Sequence, residues 1–122
     1  MTDEIRLVLP AEADFHPVAH LVLGGLGARH SLTFDQLEDL QVALDALLDR
    51  RDDEDGIVVS VRVEPDAIRA EVGPYPAGAL DELKGESEQL GLRRVLETVC
   101  DAFEVEERAA GSWVQLRKRT AA

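Results

Sequence analysis

Between Thr33 and Arg51 the sequence TFDQLEDLQVALDALLDRR spaces Phe34, Leu37, Leu40, Leu44, Leu47 and Leu48 three and four residues apart. At about 100° per residue this spacing gathers the apolar side chains into one stripe, the signature of a helix with one buried face. Thr33 and Gln36 stand in capping-box register, and Leu32 and Leu37 are placed to form the flanking hydrophobic staple. Only Thr33 and Val42 are β-branched, and neither Gly nor Pro interrupts the run.

The whole chain of 122 residues is one domain by length, with enough apolar content (45%) for a genuine core. Its formal charge of −12 argues against a nucleic-acid or anionic-membrane surface, because neutralising phosphates needs clustered Lys and Arg. A partner with a basic face is compatible with that charge. The local basic cluster Arg117-Lys118-Arg119 reads as a solvated tail. One cysteine, Cys100, excludes an internal disulfide and a multi-cysteine zinc site, and its place on an apolar helical face predicts a buried, inert thiol. The acidic N-terminus has no hydrophobic signal region, and no apolar run approaches 18 residues, so a cytoplasmic protein is expected.

In chain order, Glu4–Leu9 alternates as a strand stopped by Pro10. Asp14 is the expected N-cap of a helix beginning near Phe15, with Phe15, Val18, Val22 and Leu26 on its buried face and Ala19 and Leu23 beside them. Gly24, Gly25 and Gly27 weaken its end before Ser31. This glycine cluster closes a helix instead of opening one after a strand, so it does not read as a phosphate loop. After the 33–51 helix, Asp52–Gly56 forms an acidic turn, and Arg51 and Arg62 at loop positions one and twelve rule out an EF-hand. Gly56–Val63 and Ala67–Val72 form an antiparallel hairpin around Glu64-Pro65-Asp66. Gly73–Gln89, with two prolines and three glycines, is expected to be a long loop. Leu90–Ala102 resumes helical periodicity through Leu92, Val95, Leu96, Val99 and Phe103, with Cys100 beside the stripe. Two strands follow, Phe103–Glu107 and Trp113–Arg117, joined by a turn at Ala109–Ser112. The order predicts an α+β two-layer sandwich, with about three helices on one face of a mixed, mostly antiparallel sheet.

Chemistry-bearing groups are sparse. His16 and His20 share a helix face, but zinc needs a third ligand, and Pro17 follows His16 where a metalloprotease motif carries Glu. Asp45 and Asp49 form an i,i+4 carboxylate pair that reads as a solvated acidic face, without a basic or metal partner. No nucleophile elbow, Walker lysine or Cys/His pairing is present.

Several segments, in order, resemble one known group. They are LPAEADFHPVAHLVLGG; Phe34-Asp35 with Glu38-Asp39-Leu40-Gln41-Val42-Ala43-Leu44; Leu90-Gly91-Leu92-Arg93-Arg94-Val95-Leu96-Glu97-Thr98-Val99-Cys100-Asp101; and Gly111-Ser112-Trp113-Val114. Together they resemble the anti-sigma-factor serine/threonine kinases of the GHKL (Bergerat-fold) ATPase superfamily, which also holds histidine kinases. The resemblance covers nearly the whole chain and implies a histidine kinase-like ATPase fold. It also implies a sigma factor and a STAS-type antagonist as partners, in a family whose members commonly dimerise.

Residue by residue, the resemblance implies a nucleotide site that has decayed. The family's catalytic Glu falls on Ala46 and its magnesium-binding Asn on Arg50. Its D-x-G-x-G adenine box falls on Glu71-Val72-Gly73-Pro74-Tyr75, and its phosphate box keeps Leu90-Gly91-Leu92 with Gln89 in place of a glycine. Arg50, Glu71, Gly73, Gly91 and Leu92 are therefore the vestigial nucleotide-binding positions, with no catalytic residue and no metal ligand. Phosphoryl transfer depends on positioning and on a metal bridging the phosphate oxygens. The expectation is a pseudokinase that regulates by protein–protein binding, without ATP or magnesium. An active ATP- and magnesium-dependent anti-sigma kinase is the first alternative, and a small acidic binding domain of unrelated role the second.

Overall fold

The computed structural model describes residues 3–10, 15–30, 32–49, 56–76, 80 and 91–120. Among these residues, five strands and three helices follow in the order β1 (Asp3–Leu9), α1 (His16–Arg29), α2 (Phe34–Leu48), β2 (Ile57–Val63), β3 (Ala67–Tyr75), α3 (Leu92–Val99), β4 (Ala102–Arg108) and β5 (Gly111–Arg119). Among the described residues no helix is long and apolar enough to cross a membrane. The expected Asp14 cap, the acidic turn at 52–55, Arg50, and the loop positions 77–79 and 81–89 lie outside the described residues.

α2 forms as its sequence dictates. The Thr33 side-chain oxygen accepts from the Gln36 N–H at 3.1 Å, and the Gln36 side-chain oxygen accepts from the Thr33 N–H at 3.0 Å, so both halves of the capping box are made. Leu40, Ala43, Leu44, Leu47 and Leu48 are fully buried, whereas Phe34, at the start of the stripe, is 77% exposed. On α1 the buried face runs through Ala19, Leu23, Leu26 and Gly27. Phe15 and Val18, expected on that face, are both exposed. The first turn of α1 thus overhangs the core that α2 and the sheet enclose.

The strands pair in the order β1-β2-β3-β5-β4, and every pairing is antiparallel. This departs from the mixed sheet expected, and the difference has a topological cause. β3 and β4, the strands joined through α3, do run parallel, but β5 inserts between them and removes the parallel contact. All three helices pack on one face, against Leu9 of β1, Ile57, Val59, Val61 and Val63 of β2, Ile68, Ala70 and Val72 of β3, and Val114 and Leu116 of β5. Among the described residues the other face of the sheet carries no helix. The result is the two-layer α+β sandwich that the element order implies.

Three boundaries differ from expectation. β3 continues to Tyr75, into the segment expected to begin a loop. The register of β3 against β5 shifts between Val72 and Tyr75, a bulge that breaks the two-residue alternation and turns Tyr75 inward. The last hairpin turns on Ala109 and Ala110 alone, and Gly111 has φ of 143°, a conformation that costs glycine little. A Cβ on Gly111 would also lie 2.7 Å from the Tyr75 carbonyl oxygen. Finally, Arg117-Lys118-Arg119 is no tail. These residues belong to β5, and Lys118 reaches Asp39 on α2 at 2.8 Å.

The Tyr75 hydroxyl donates to the Leu47 carbonyl at 2.5 Å, inside the core. Tyr75→Phe keeps the ring but removes that donor, so it should lower stability by about 1–2 kcal/mol. Urea unfolding should show a lower midpoint with an unchanged slope.

Candidate functional site

A cleft of about 650 Å³ opens where the last turn of α2 faces the first turns of α3. Ala46 and Asp49 line it from α2, and Gly91, Leu92, Val95 and Val99 from the facing segment, with Arg94 and Thr98 contributing the polar part of that wall. The walls are mostly aliphatic. Thr98 spends its hydroxyl on the Arg94 carbonyl at 2.8 Å, as helical Thr side chains often do.

Two of the sequence-derived positions, Gly91 and Leu92, therefore meet Ala46 at one cleft. Two others lie elsewhere. Glu71 sits on the bare face of the sheet, where its carboxylate accepts from Arg108 and from the Gln115 amide, each at 2.9 Å. Gly73 lies on the same face beneath the Trp113 indole; a Cβ there would be 2.6 Å from the ring. Its lack of a side chain serves packing against Trp113. Tyr75, the third position of that box, fills core space between β3 and α2. Arg50 lies outside the described residues.

Among the described residues the cleft offers few ligands for a metal-bound nucleotide. Ala46 offers no donor, and Asp49 is the one carboxylate among the described residues lining the cleft. No described group of three or more His, Cys, Asp or Glu side chains is arranged to hold a metal ion. A cation that bridges phosphates needs several oxygen ligands, and among the described residues of this wall Asp49 alone carries a carboxylate.

Polar arrangements invisible in the separate segments appear once these pack. His20 Nε2 lies 2.6 Å from Asp45, and His16 Nδ1 lies 3.8 Å from Asp49. Asp45 and Asp49, expected to form an unpartnered acidic face, are thus each matched by a histidine of α1. The signal was available as two i,i+4 pairs on consecutive helices, which face each other only if the helices run antiparallel. On the bare sheet face, the Arg108 guanidinium lies 4.7 Å from the Trp113 ring centre and also bonds Glu106 at 3.1 Å. The hydrogen bond from Arg108 holds the Glu106 carboxyl below its usual range, and its carboxylate partners hold the Arg108 guanidinium above its own. Burial pushes the Cys100 thiol up to about 11, with Lys118 acting weakly in the opposite sense.

Two outcomes follow for these residues. At pH 8 the raised Cys100 pKa should slow its reaction with a disulfide reagent roughly a hundredfold relative to the unfolded chain, by thiolate fraction alone. The check is absorbance kinetics with and without denaturant. Gly73→Ala, by forcing a methyl into the indole, should cost about 1–3 kcal/mol by thermal unfolding and shift the Trp113 emission.

No protein-family model matches the chain, and a search of curated proteins finds no match.

Proposed function

We propose that the chain is a degenerate relative of the anti-sigma-factor kinases of the GHKL superfamily. On this reading it has the histidine kinase-like ATPase fold and works as a regulatory protein-binding module in the cytoplasm. Its partners are a sigma factor, a STAS-type antagonist, or both, and it is free to form a homodimer as such proteins do. The observation that carries the reading is the cleft between the end of α2 and the start of α3. It brings Gly91 and Leu92, kept from the family's phosphate box, together with Ala46, which replaces the family's base. Support also comes from the order of elements, with three helices on one face of a five-stranded sheet.

Chemistry favours the pseudokinase over the kinase. A phosphoryl-transfer site needs a group to take the acceptor hydroxyl's proton and a cation to bridge the phosphates. Ala46 provides neither. The Glu71 carboxylate is engaged by Arg108 and Gln115 on the opposite face of the sheet from the cleft. The size of the cleft favours one further reading, a nucleotide held without turnover.

Calorimetric titration of the full chain with millimolar Mg-ATP should give no binding heat. Radiolabelled ATP should leave a STAS-type substrate protein unlabelled. Micromolar binding with label transfer would establish the active kinase instead. Recovery of neither a sigma factor nor a STAS protein in a pull-down from the source cell would favour an unrelated binding role.

A further inference from the structure

The two edges of the sheet are built differently. β4 carries Glu104, Glu106 and Glu107, and every register that would pair it with a second β4 about residues 104 to 107 sets glutamate against glutamate. Like charges directly opposite are destabilising, and such charge is a common guard on an edge strand. β1 has no such guard. Its seven residues pair regularly with β2, without proline or bulge. Every second residue turns its N–H and C=O away from β2, and among the described residues no backbone group meets them. Glu4 and Arg6 alternate in sign along it, and Arg6 is exposed and has no ion-pair partner among the described residues.

The helical layer continues the same wall. α2 packs between α1 and α3, and α3 lies against β4, which leaves α1 over the β1 side. His16 and His20 turn toward Asp49 and Asp45 of α2. At about 100° per residue, the side of α1 facing away from α2 carries Val18 and Gly25, with Leu21 and Val22 beside them and Arg29 at the C-terminal end. Leu21 is 76% exposed and Val18 38%. A helix apolar on its outer side as well as its inner one has the pattern of a helix covered twice.

We infer that the β1 edge and the outer side of α1 form the interface of a twofold homodimer, in which β1 pairs antiparallel with β1 of a second copy. The two five-stranded sheets then join into one. A twofold axis normal to the sheet keeps each side chain on its own face, so facing residues share parity. With the axis at Ile5, Glu4 of each copy faces Arg6 of the other, and the pair is made twice. An axis at Arg6 would set arginine against arginine, and one at Glu4 glutamate against glutamate. Arg62 engages Oε2 of Glu4 at 3.2 Å, which leaves Oε1 for the incoming Arg6. Pairing of a short edge alone falls short of the roughly 800 Å² per partner in a stable interface. The same axis lays the two α1 helices antiparallel and adds a second layer of contact along about 21 Å of helix. The interface gives a place and a register to the homodimer that the proposed function leaves open. It depends on the edge strand and α1, and on neither the cleft nor the family resemblance.

Sedimentation equilibrium of the full chain should show twice the monomer mass at high concentration. Amide hydrogen exchange should show every second β1 amide gaining protection as the dimer forms. Arg6→Glu, which meets Glu4 of the other copy in this register, should weaken dimerisation about tenfold or more. Leu21→Glu should do the same through the helical layer, and Glu104→Gln on the other edge should change nothing. All three positions are exposed, circular dichroism checks the folding of each variant, and the exchange map needs no variant. The inference is overturned if the chain stays monomeric at millimolar concentration, or if a dimer protects β4 or α3 in place of β1. It is equally overturned if Arg6→Glu dimerises as tightly as the parent chain, or if β1 gains protection only when a different protein is added. A β1 dimer beside tight Mg-ATP binding would reject the pseudokinase reading and keep this interface. A monomer that recovers a sigma factor would do the reverse.

Discussion

The two layers are held by one face of α2. Leu40, Ala43, Leu44, Leu47 and Leu48 are each at most 1% exposed, and they press the helix onto the inward side of the sheet. Non-directional apolar contact alone would let a helix slide. Polar ties along its length oppose that. The Gln36 amide donates to the Arg119 and Thr120 carbonyls, Asp39 holds Lys118, and the Leu47 carbonyl takes the Tyr75 hydroxyl. The helix is thereby fixed at its start to the end of β5 and at its close to the end of β3. The cleft beside Ala46 inherits its position from these contacts.

How much of this was legible in the sequence depended on the range of the forces involved. The capping box, the β2–β3 hairpin and the layer architecture are set by neighbours in the chain, and Thr33, Gln36 and the alternating valines announced them. Tyr75 was not readable, because a one-residue bulge reverses which side of the strand it faces. Phe15 and Val18 misled because α1 is apolar nearly all round, so periodicity could not choose its buried side. The candidate site divided in the same way. Gly91 and Leu92 reach the cleft through a helix start, whereas the direction of Glu71 depended on strand parity within a sheet whose order the sequence did not reveal.

Net charge is another property that the fold reorganises. Read as a total, −12 describes an acidic protein with a uniform outlook. Strand alternation sends six arginines to one surface, where Glu4, Glu71, Glu104 and Glu106 stand among them and Glu64 and Asp66 pair with Arg69 and Arg117. The acidic residues of α2, Asp35, Glu38, Asp39, Asp45 and Asp49, belong to the opposite layer. Two faces with different electrostatic character result. Approaching molecules respond to the nearer face over a range of about one Debye length, roughly 8 Å at physiological ionic strength.

The histidine–aspartate contacts between α1 and α2 have a mechanical meaning. His16 with Asp49 and His20 with Asp45 are two rungs separated by one helical turn on each side. If α1 moved by one turn, about 5.4 Å, one rung would re-form with the neighbouring partner while the other lost its match. The pair therefore marks one register: a slide of one turn in either direction leaves a single rung, and only the observed seating makes both.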